Sequence, residues 1–597
     1  MDTNNGQENG ILVLYGSETG TAQDLAESLW RELTRNGYDV AVECLDDLDL
    51  KRIISRVLCI FICSTTGQGE VPRNMKTFWR FLLRKRLPSD FLDCMQYAVF
   101  GCGDSSYARF NWTAKKLDRR LQQLGANRIC LRGEGDEQHE LGVPGLFAYW
   151  LTHLNAAIAR YRTPNRPALT KDALLEPVFD IRFLSPSVDE SDLADLSLTK
   201  DHLSPSTFKC TERVNYAIVE ENNRMTAPDH WQDVRHVKLR LPASVSWSAG
   251  DIAVLYPCND DTSVIWFLKR MGWYKFAAEP ITVQTKPNGK PLGWLPSPLT
   301  PYTLVKYMLS LHSMPSRAFF EYAAHFADND LHRERLAEFA DNAHIEEYYN
   351  YVTRPRRTLI ETLQEFDSLR VPFHYALDVF PLMKGRQYSI ASACHPEDNT
   401  LELAIALVRF KTRMHGDREG VCSRWLKDVK PGTELSIDIL KAASKLDINS
   451  PSPFVMIGPG TGVAPMRLLV QHRVSNGLTN NVLVFGCRNK EKDFLFQKEW
   501  EAYSAQKQLE LYCAFSRDQD KKHYVQNVIR EHGERFFDLI YNQKAIVCVC
   551  GSSGKMPTAV REAIATIVSK YLDGKYSTGN DYLLTMEKEK RFYQETW

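Results

Sequence analysis

The chain alternates between short apolar runs and stretches of helical period. Residues 11–15, 57–63 and 97–100 are continuous apolar runs of strand length, as expected of parallel strands buried on both faces. Each runs into a small-residue turn: Gly16-Ser17-Glu18-Thr19-Gly20-Thr21-Ala22, Ser64-Thr65-Thr66-Gly67-Gln68-Gly69-Glu70, then Gly101-Cys102-Gly103-Asp104-Ser105-Ser106-Tyr107. The first turn opens a helical pattern over residues 23–36. Strand, turn and helix repeating over about 150 residues predict one α/β domain, with its three turns side by side at a switch point of a doubly wound parallel sheet.

The pattern then changes. Residues 163–206 are rich in Pro, Ser, Asp and Leu with weak periodicity, and read as a linker that partly packs and partly tethers. Alternation resumes at 216–219, 236–241 and 247–254, where Gly250-Asp251 marks a tight turn, and opens an antiparallel β-barrel. Helical text over about 262–369, including 317–327 and 331–341, interrupts it. After Phe380-Pro381 the barrel returns with residues 386–392 and 401–408. A final α/β domain follows, with strands at 454–457, 482–486, 509–514 and 545–550 and a helix over 466–474. Expected boundaries are 1–162, a linker 163–206, a barrel 207–450 holding the insertion, and a last domain 451–597.

Candidate chemistry sits at the turns. A Gly/Ser/Thr turn at a helix N-terminus aims N–H groups and hydroxyls at a phosphate, and the first turn lacks a P-loop lysine, so a monophosphate suits it better than a nucleoside triphosphate. Tyr107 adds a ring that can stack. In the barrel, Arg386 and Tyr388 stand two apart on a strand, hence on one face. There the Arg can pair with a pyrophosphate while the ring lies against a planar heterocycle, and Ser389 faces the other way. A half-buried strand with a surface Arg is the equal alternative on those residues alone. Gly420-Val421-Cys422-Ser423 opens a helix at a second phosphate-type turn. In the last domain, Gly458-Pro459-Gly460-Thr461-Gly462 lies between strand and helix. Ser516 and Arg517, with Lys522 and Tyr524 just beyond, suit an adenosine 2′-phosphate. Asp518, which could serve a bare ribose instead, is the weaker clue. Two charge-assisted contacts at ~1.5–3 kcal/mol each would favour the phosphorylated nucleotide by roughly 10²–10⁴.

Composition narrows the field by exclusion. At 597 residues the chain needs several cores. With 74 basic and 74 acidic side chains it carries no net charge to attract nucleic acid. The first ten residues lack the pattern of a signal peptide, and no apolar run reaches the ~20 residues that span a bilayer. The 14 cysteines show no zinc or disulfide-framework spacing, which points to reduced thiols, no metal site and a cytoplasmic location.

These motifs resemble known ones. The three turns, STTGxG and GxGDSxY above all, resemble flavodoxin. RxYSxxS over 386–392 resembles the FAD-binding strand of the ferredoxin–NADP reductase family, GxxSxxL from Gly420 its pyrophosphate helix, and Gly460-Thr461-Gly462 its NADP loop. Together with a helical insertion in the barrel, the chain resembles the diflavin reductases of the cytochrome P450 reductase type over nearly its whole length. The resemblance implies α/β multidomain architecture: a flavodoxin-like domain, a β-barrel FAD domain and a Rossmann-like NADP domain.

It implies FMN on Ser17, Glu18, Thr19, Gly20, Thr21, Ala22, Ser64, Thr65, Thr66, Gly67, Gln68, Gly69, Gly101, Gly103, Asp104, Tyr107, Phe110, Asn111 and Asp136. FAD falls to Arg386, Tyr388, Ser389, Phe410, Gly420, Val421, Cys422, Ser423 and Trp597. NADPH falls to Gly460, Thr461, Gly462, Arg488, Ser516, Arg517, Lys522, Tyr524 and Gln526. Ser389, Cys550, Glu595 and Trp597 would surround hydride transfer, the terminal Trp covering the FAD ring until displaced. Two departures stand out: Thr66-Gly67-Gln68 replaces the second aromatic often found there, and Ser552 replaces the usual acid.

Loops such as CSTTGQGEVPRNMKTFWRF are similar to those of the soluble branch that serves cytosolic iron–sulfur protein assembly. That implies a protein acceptor of the anamorsin type, reached through an acidic stretch (Glu134, Asp136, Glu137, Glu140) or a basic helix (Lys76, Arg80, Arg84, Lys85, Arg86). A soluble P450 reductase-like enzyme serving a haem protein, and a flavin-binding regulatory protein, remain alternatives.

Overall fold

The computed structural model describes residues 10–50, 52, 58–67, 69–107, 109–161, 167–170, 173–184, 215–286, 292, 295, 299–394, 399–412, 416–442, 446–572 and 578–596. The chain divides into two compact units. The first comprises residues 1–193, 265–292 and 309–382, and the second the remainder.

Apolar runs build the first unit's sheet. Its strands follow the order Val40–Cys44, Ile11–Gly16, Leu58–Ser64, Gln96–Gly103, with Asn127–Arg128 and Gly133–Asp136 both pairing with the last. All pairings are parallel, and the order is that of a flavodoxin-like doubly wound sheet. The edge strand Val40–Cys44 went unpredicted because its run is short and interrupted by Glu43. Helices Thr21–Arg35 and Gly142–Ile158 pack on one sheet face, and Lys76–Leu82 and Trp112–Gln123 on the other, so each strand buries both sides.

This domain shares its unit with most of the helical insertion. Arg31 donates from Nε to Glu321 at 3.0 Å and Arg35 pairs with the same carboxylate. Burial pushes the Glu321 carboxyl up, yet the two guanidiniums hold it below its ordinary value. Within the expected linker 163–206, Phe179–Phe183 forms an antiparallel ribbon with Ile281–Thr285 of the insertion. The insertion continues past residue 369 to the helix Ala376–Val379, because Phe373, Phe380 and Trp273 form one aromatic cluster that closes it.

The second unit holds a barrel and a parallel sheet. Six antiparallel strands run Arg386–Ser389, Ile252–Tyr256, Glu434–Leu440, Asn215–Arg224, Val234–Arg240, Thr400–Ala406. The bridge between Ile390 and Leu403 closes the ring, around Val219, Val237, Leu239, Leu255, Leu403 and Ile437. Of the strand expected over 247–254, only the end is strand. Asp251 accepts from the Ser248 and Ala442 N–H groups and turns the first half into a loop. The parallel sheet runs Glu510–Phe515, Asn481–Cys487, Phe454–Pro459, Ile546–Gly551, Phe592–Thr596. Its last strand was not predicted, since five mixed residues at a chain end carry little periodic signal. Among the described residues no helix is long and apolar enough to cross a membrane.

Candidate functional site

In the first unit the three turns do converge, at the C-terminal ends of three neighbouring strands. Ser17 is fixed by its N–H to Asn74 Oδ1 at 2.8 Å, and its Oγ accepts from the Gly20 N–H at 3.0 Å, so the hydroxyl keeps its proton to donate. Glu18 accepts from Arg73 through both backbone N–H and Nε, at 3.0 and 2.8 Å, which ties the turn down. Helix Thr21–Arg35 begins with no side-chain cap, leaving its first N–H groups to a ligand. In the second turn Ser64 Oγ donates to the Gly16 carbonyl, Thr65 Oγ1 accepts from Thr113 N–H, and Thr66 and Glu70 bridge around Gly67 and Gly69. Gln68 lies outside the described residues.

The third turn is braced from below. Asp104 Oδ1 accepts from Ser106 N–H at 2.8 Å, and Asp136 Oδ1 from Ser105 and Gln138 N–H groups at 2.9 and 3.0 Å. Asn111, at φ 51°, is fully buried and donates to the Gly135 carbonyl at 2.9 Å. A Cβ at Gly101 or Gly103 would meet its Oδ1 at 2.7 or 2.8 Å, so the glycines exist to admit this side chain. Asn111 therefore shapes the loop from beneath, whereas Tyr107 and Phe110 are half-buried at its surface, Phe110 under the Lys115 ammonium.

In the barrel, Arg386 and Tyr388 stand two apart on the strand Arg386–Ser389. The Arg386 guanidinium reaches the Lys384 carbonyl at 2.5 Å, and Tyr388 donates to Cys422 Sγ at 3.2 Å, joining strand to helix Val421–Asp428. That helix also lacks a side-chain cap, and Gly420 precedes it. Ser423 Oγ accepts from Val408 N–H at 2.8 Å, while Phe410 stands exposed on a neighbouring ribbon.

The last domain supplies a contact to the barrel strand. Ser389 Oγ donates to Glu595 Oε1 at 3.4 Å, across 206 residues. Strand pairing sets Glu595 opposite Cys550. Burial pushes the Glu595 carboxyl up, against the Ser389 bond, and burial with the nearby Glu595 pushes the Cys550 thiol up. A carboxyl and a thiol, both pushed up by burial, thus stand beside a hydroxyl at one point of the unit. Trp597 lies outside the described residues. Gly462 permits the close packing that brings the nucleotide turn here: a Cβ there would fall 2.2 Å from the Cys550 carbonyl oxygen. Gly460 and Thr461 share its 3-10 turn, and the helix Val463–Ser475 that follows has no side-chain cap.

At the far end of the same sheet, Arg488, Ser516 and Arg517 are brought together by Ser516 N–H to Cys487 O and Arg517 N–H to Arg488 O, at 2.9 and 2.8 Å. Ser516 is buried, Arg517, Lys522 and Tyr524 are exposed, and Gln526 is half-buried. Asp518 instead accepts from Asn489 Nδ2 and Lys490 N–H, both at 2.9 Å, so its charge serves the neighbouring turn. Three helix N-termini without side-chain caps, each behind a glycine, fit a monophosphate, a pyrophosphate and a nucleotide, and the cations Arg488 and Arg517 gather at a separate strand end.

Two groups escaped sequence reading. Glu402 accepts from His236 Nε2 at 2.6 Å and Arg467 Nη1 at 2.8 Å, and Arg467 Nε continues to Glu499 at 2.7 Å. This network fastens the barrel to the helix after Gly462. Nothing local marked it, since Arg467 is one of two arginines in a helix that also carries Gln471 and His472. The other is Trp231, whose ring lies under Arg488. The expected acidic stretch is also smaller than it reads. Glu134 pairs with Lys115 and Arg132, and Asp136 with loop N–H groups, which leaves Glu137 and Glu140 exposed. The basic helix ends at Leu82, so Arg84, Lys85 and Arg86 lie in the turn beyond it.

Comparison with known proteins adds an independent line. The flavodoxin family matches residues 13–150, the FAD binding domain family residues 209–425, and the oxidoreductase NAD-binding domain family residues 456–562. Across 587 residues the chain is 51% identical to NADPH-dependent diflavin oxidoreductase 1 of Schizosaccharomyces pombe, covering 98% of this chain and 99% of that protein. It is 39% identical to the protein of that name from Xenopus laevis, over 99% and 100% of the two chains. For Mus musculus the identity is 37%, over 98% and 99%.

Proposed function

The chain belongs to the NADPH-dependent diflavin oxidoreductases, and from that premise we propose that hydride enters at the Ser389–Cys550–Glu595 cluster and that electrons leave singly through the flavodoxin-like turns to an iron–sulfur protein of the anamorsin type in the cytoplasm. The observation that carries the first half is the Ser389–Glu595 contact beside Cys550. Bound FAD supplies two-electron acceptance and bound FMN one-electron release.

The protein's own part is orientation, proton placement and selectivity. Arg386, Tyr388, Phe410 and residues 420–423 would hold FAD, with Ser389 bonded to Glu595 beside Cys550. Residues 17–22, 64–69, Gly101, Gly103, Asp104, Tyr107 and Phe110 hold FMN, with Asn111 and Asp136 bracing them. Gly460, Thr461, Gly462, Ser516, Arg517, Lys522, Tyr524 and Gln526 hold NADPH. Burial raises the Glu595 carboxyl above its ordinary value, and its Oε1 accepts from Ser389 Oγ, which would hold the pair in place where hydride is transferred. Trp597 would cover the FAD ring, a role carried over from the resemblance to the diflavin reductases.

The acceptor assignment rests on the likeness of the FMN loops to the iron–sulfur branch. Anaerobic mixing of NADPH, this enzyme and an anamorsin-type cluster protein should reduce the cluster, more slowly as ionic strength rises. Reduction of a microsomal P450 with none of the cluster protein would replace that acceptor with a haem protein.

A further inference from the structure

The loop between strands Asn215–Arg224 and Val234–Arg240 leaves the barrel and reaches the nucleotide sheet. It is fixed without any help from its largest residue. Arg224 Nη2 donates to the His230 carbonyl at 2.9 Å, and Thr226 Oγ1 to the Gln232 carbonyl at 2.8 Å. Ala227 N–H donates to the Lys492 carbonyl at 2.8 Å, and Lys492 pairs with Asp229. Yet at the tip stands Trp231, 56% exposed, with the Arg488 guanidinium 4.1 Å from its ring centroid.

Arg488 is equally unusual. Its backbone is held by Asp493, which accepts from Arg488 N–H at 3.0 Å and Asn489 N–H at 2.7 Å, and by Arg517 N–H on its carbonyl. Among the described residues its guanidinium has no carboxylate partner; the indole is what it rests on. A half-buried guanidinium resting on an exposed indole, with its backbone bonded to Arg517, is a candidate surface for a second aromatic ring. In an adenosine phosphate bound by Ser516 and Arg517 that ring is adenine, and stacking on such a platform tolerates any base edge.

We propose that Trp231 is a positioning residue for NADPH: it holds Arg488 flat as the platform on which adenine stacks. The inference rests on the nucleotide reading given above and goes beyond it, because the residue comes from the barrel rather than from the nucleotide domain. It makes the cofactor's adenine end depend on both. It also separates two parts of recognition. Arg517 reads the 2′-phosphate, which only NADPH carries, whereas Trp231 serves the adenine common to NADPH and NADH.

The test is binding of 2′,5′-ADP to the purified holoenzyme by calorimetry, together with steady-state kinetics for both nucleotides. Trp231→Ala is expected to weaken 2′,5′-ADP about tenfold and raise KM about tenfold for NADPH and NADH alike. kcat, flavin content and Tm should stay as in the wild type. Trp231→Phe should restore most of the affinity, and Arg488→Lys, which keeps the charge but loses the plane, should reproduce the loss. Arg517→Ala should weaken NADPH alone. If Trp231→Ala and Arg488→Lys bind 2′,5′-ADP normally while Arg517→Ala does not, the platform is wrong and the nucleotide site stands. If none of the three weakens it, both are wrong.

Discussion

The flavodoxin-like turns and the Ser389–Glu595 cluster are built in opposite ways. In the first, each turn is one continuous stretch of sequence, and its donors are largely backbone groups freed by glycines and uncapped helix ends. In the second, no two of Ser389, Cys550 and Glu595 are sequence neighbours, and three separate strands bring them together. A local site tolerates change elsewhere as long as its own turn forms. An assembled site inherits every packing constraint between the elements that carry it.

That contrast predicts where single substitutions do most harm. The largest effect should come from Gly462→Val, whose Cβ would fall on the Cys550 carbonyl and force the nucleotide turn away from the strand. NADPH should then no longer bleach the flavins, while dithionite still does and FMN content is unchanged. The counterpart in the local site is Asn111→Leu, which leaves the Gly135 carbonyl without its donor under the third turn. Loss of a buried bond at ~1–3 kcal/mol should weaken FMN roughly 5- to 150-fold, measured by fluorescence of released flavin, with FAD retained.

Legibility followed the same division. The three flavodoxin-like strands, their turns, and the Arg386/Tyr388 face were readable because period and glycine placement are local properties. Cys550 and Glu595 were reachable only through family resemblance, since nothing in residues 592–596 announces a strand pairing with 546–551. The Glu402–His236–Arg467 network was invisible for the same reason: its members lie on three elements, and each alone reads as an ordinary charged residue. Surface charge misled differently. The stretch from Glu134 to Glu140 reads as an acidic patch, but Glu134 is spent on Lys115 and Arg132 and Asp136 on backbone N–H groups.

Acid should probe the assembled half next. Burial raises the Glu402 carboxyl, but the His236 and Arg467 donors override it and hold it at about 2. Against an unfolded value of about 4.3, the ionised carboxylate contributes ~3 kcal/mol of stability, present in full above pH ~4.5 and lost as pH falls through 2. In Glu402→Gln the acid limb of a Tm-against-pH curve should flatten in that window. An unaltered curve would remove the network from the account. A smaller effect is expected in the first unit. Glu321→Gln leaves Arg31 and Arg35 facing an amide, and should cost about 1–2 kcal/mol in urea unfolding of that unit, less at high salt.

The claim that hydride enters at the assembled cluster is tested most directly by anaerobic stopped-flow reduction with NADPH deuterated at the transferred position. Wild-type enzyme is compared with Ser389→Ala and Glu595→Gln. Both variants should hold FAD and FMN at wild-type occupancy and bleach about 100-fold more slowly, with an isotope effect at least as large as the wild type's. Wild-type bleaching rates in both variants, or slow bleaching explained by lost FAD, would contradict it.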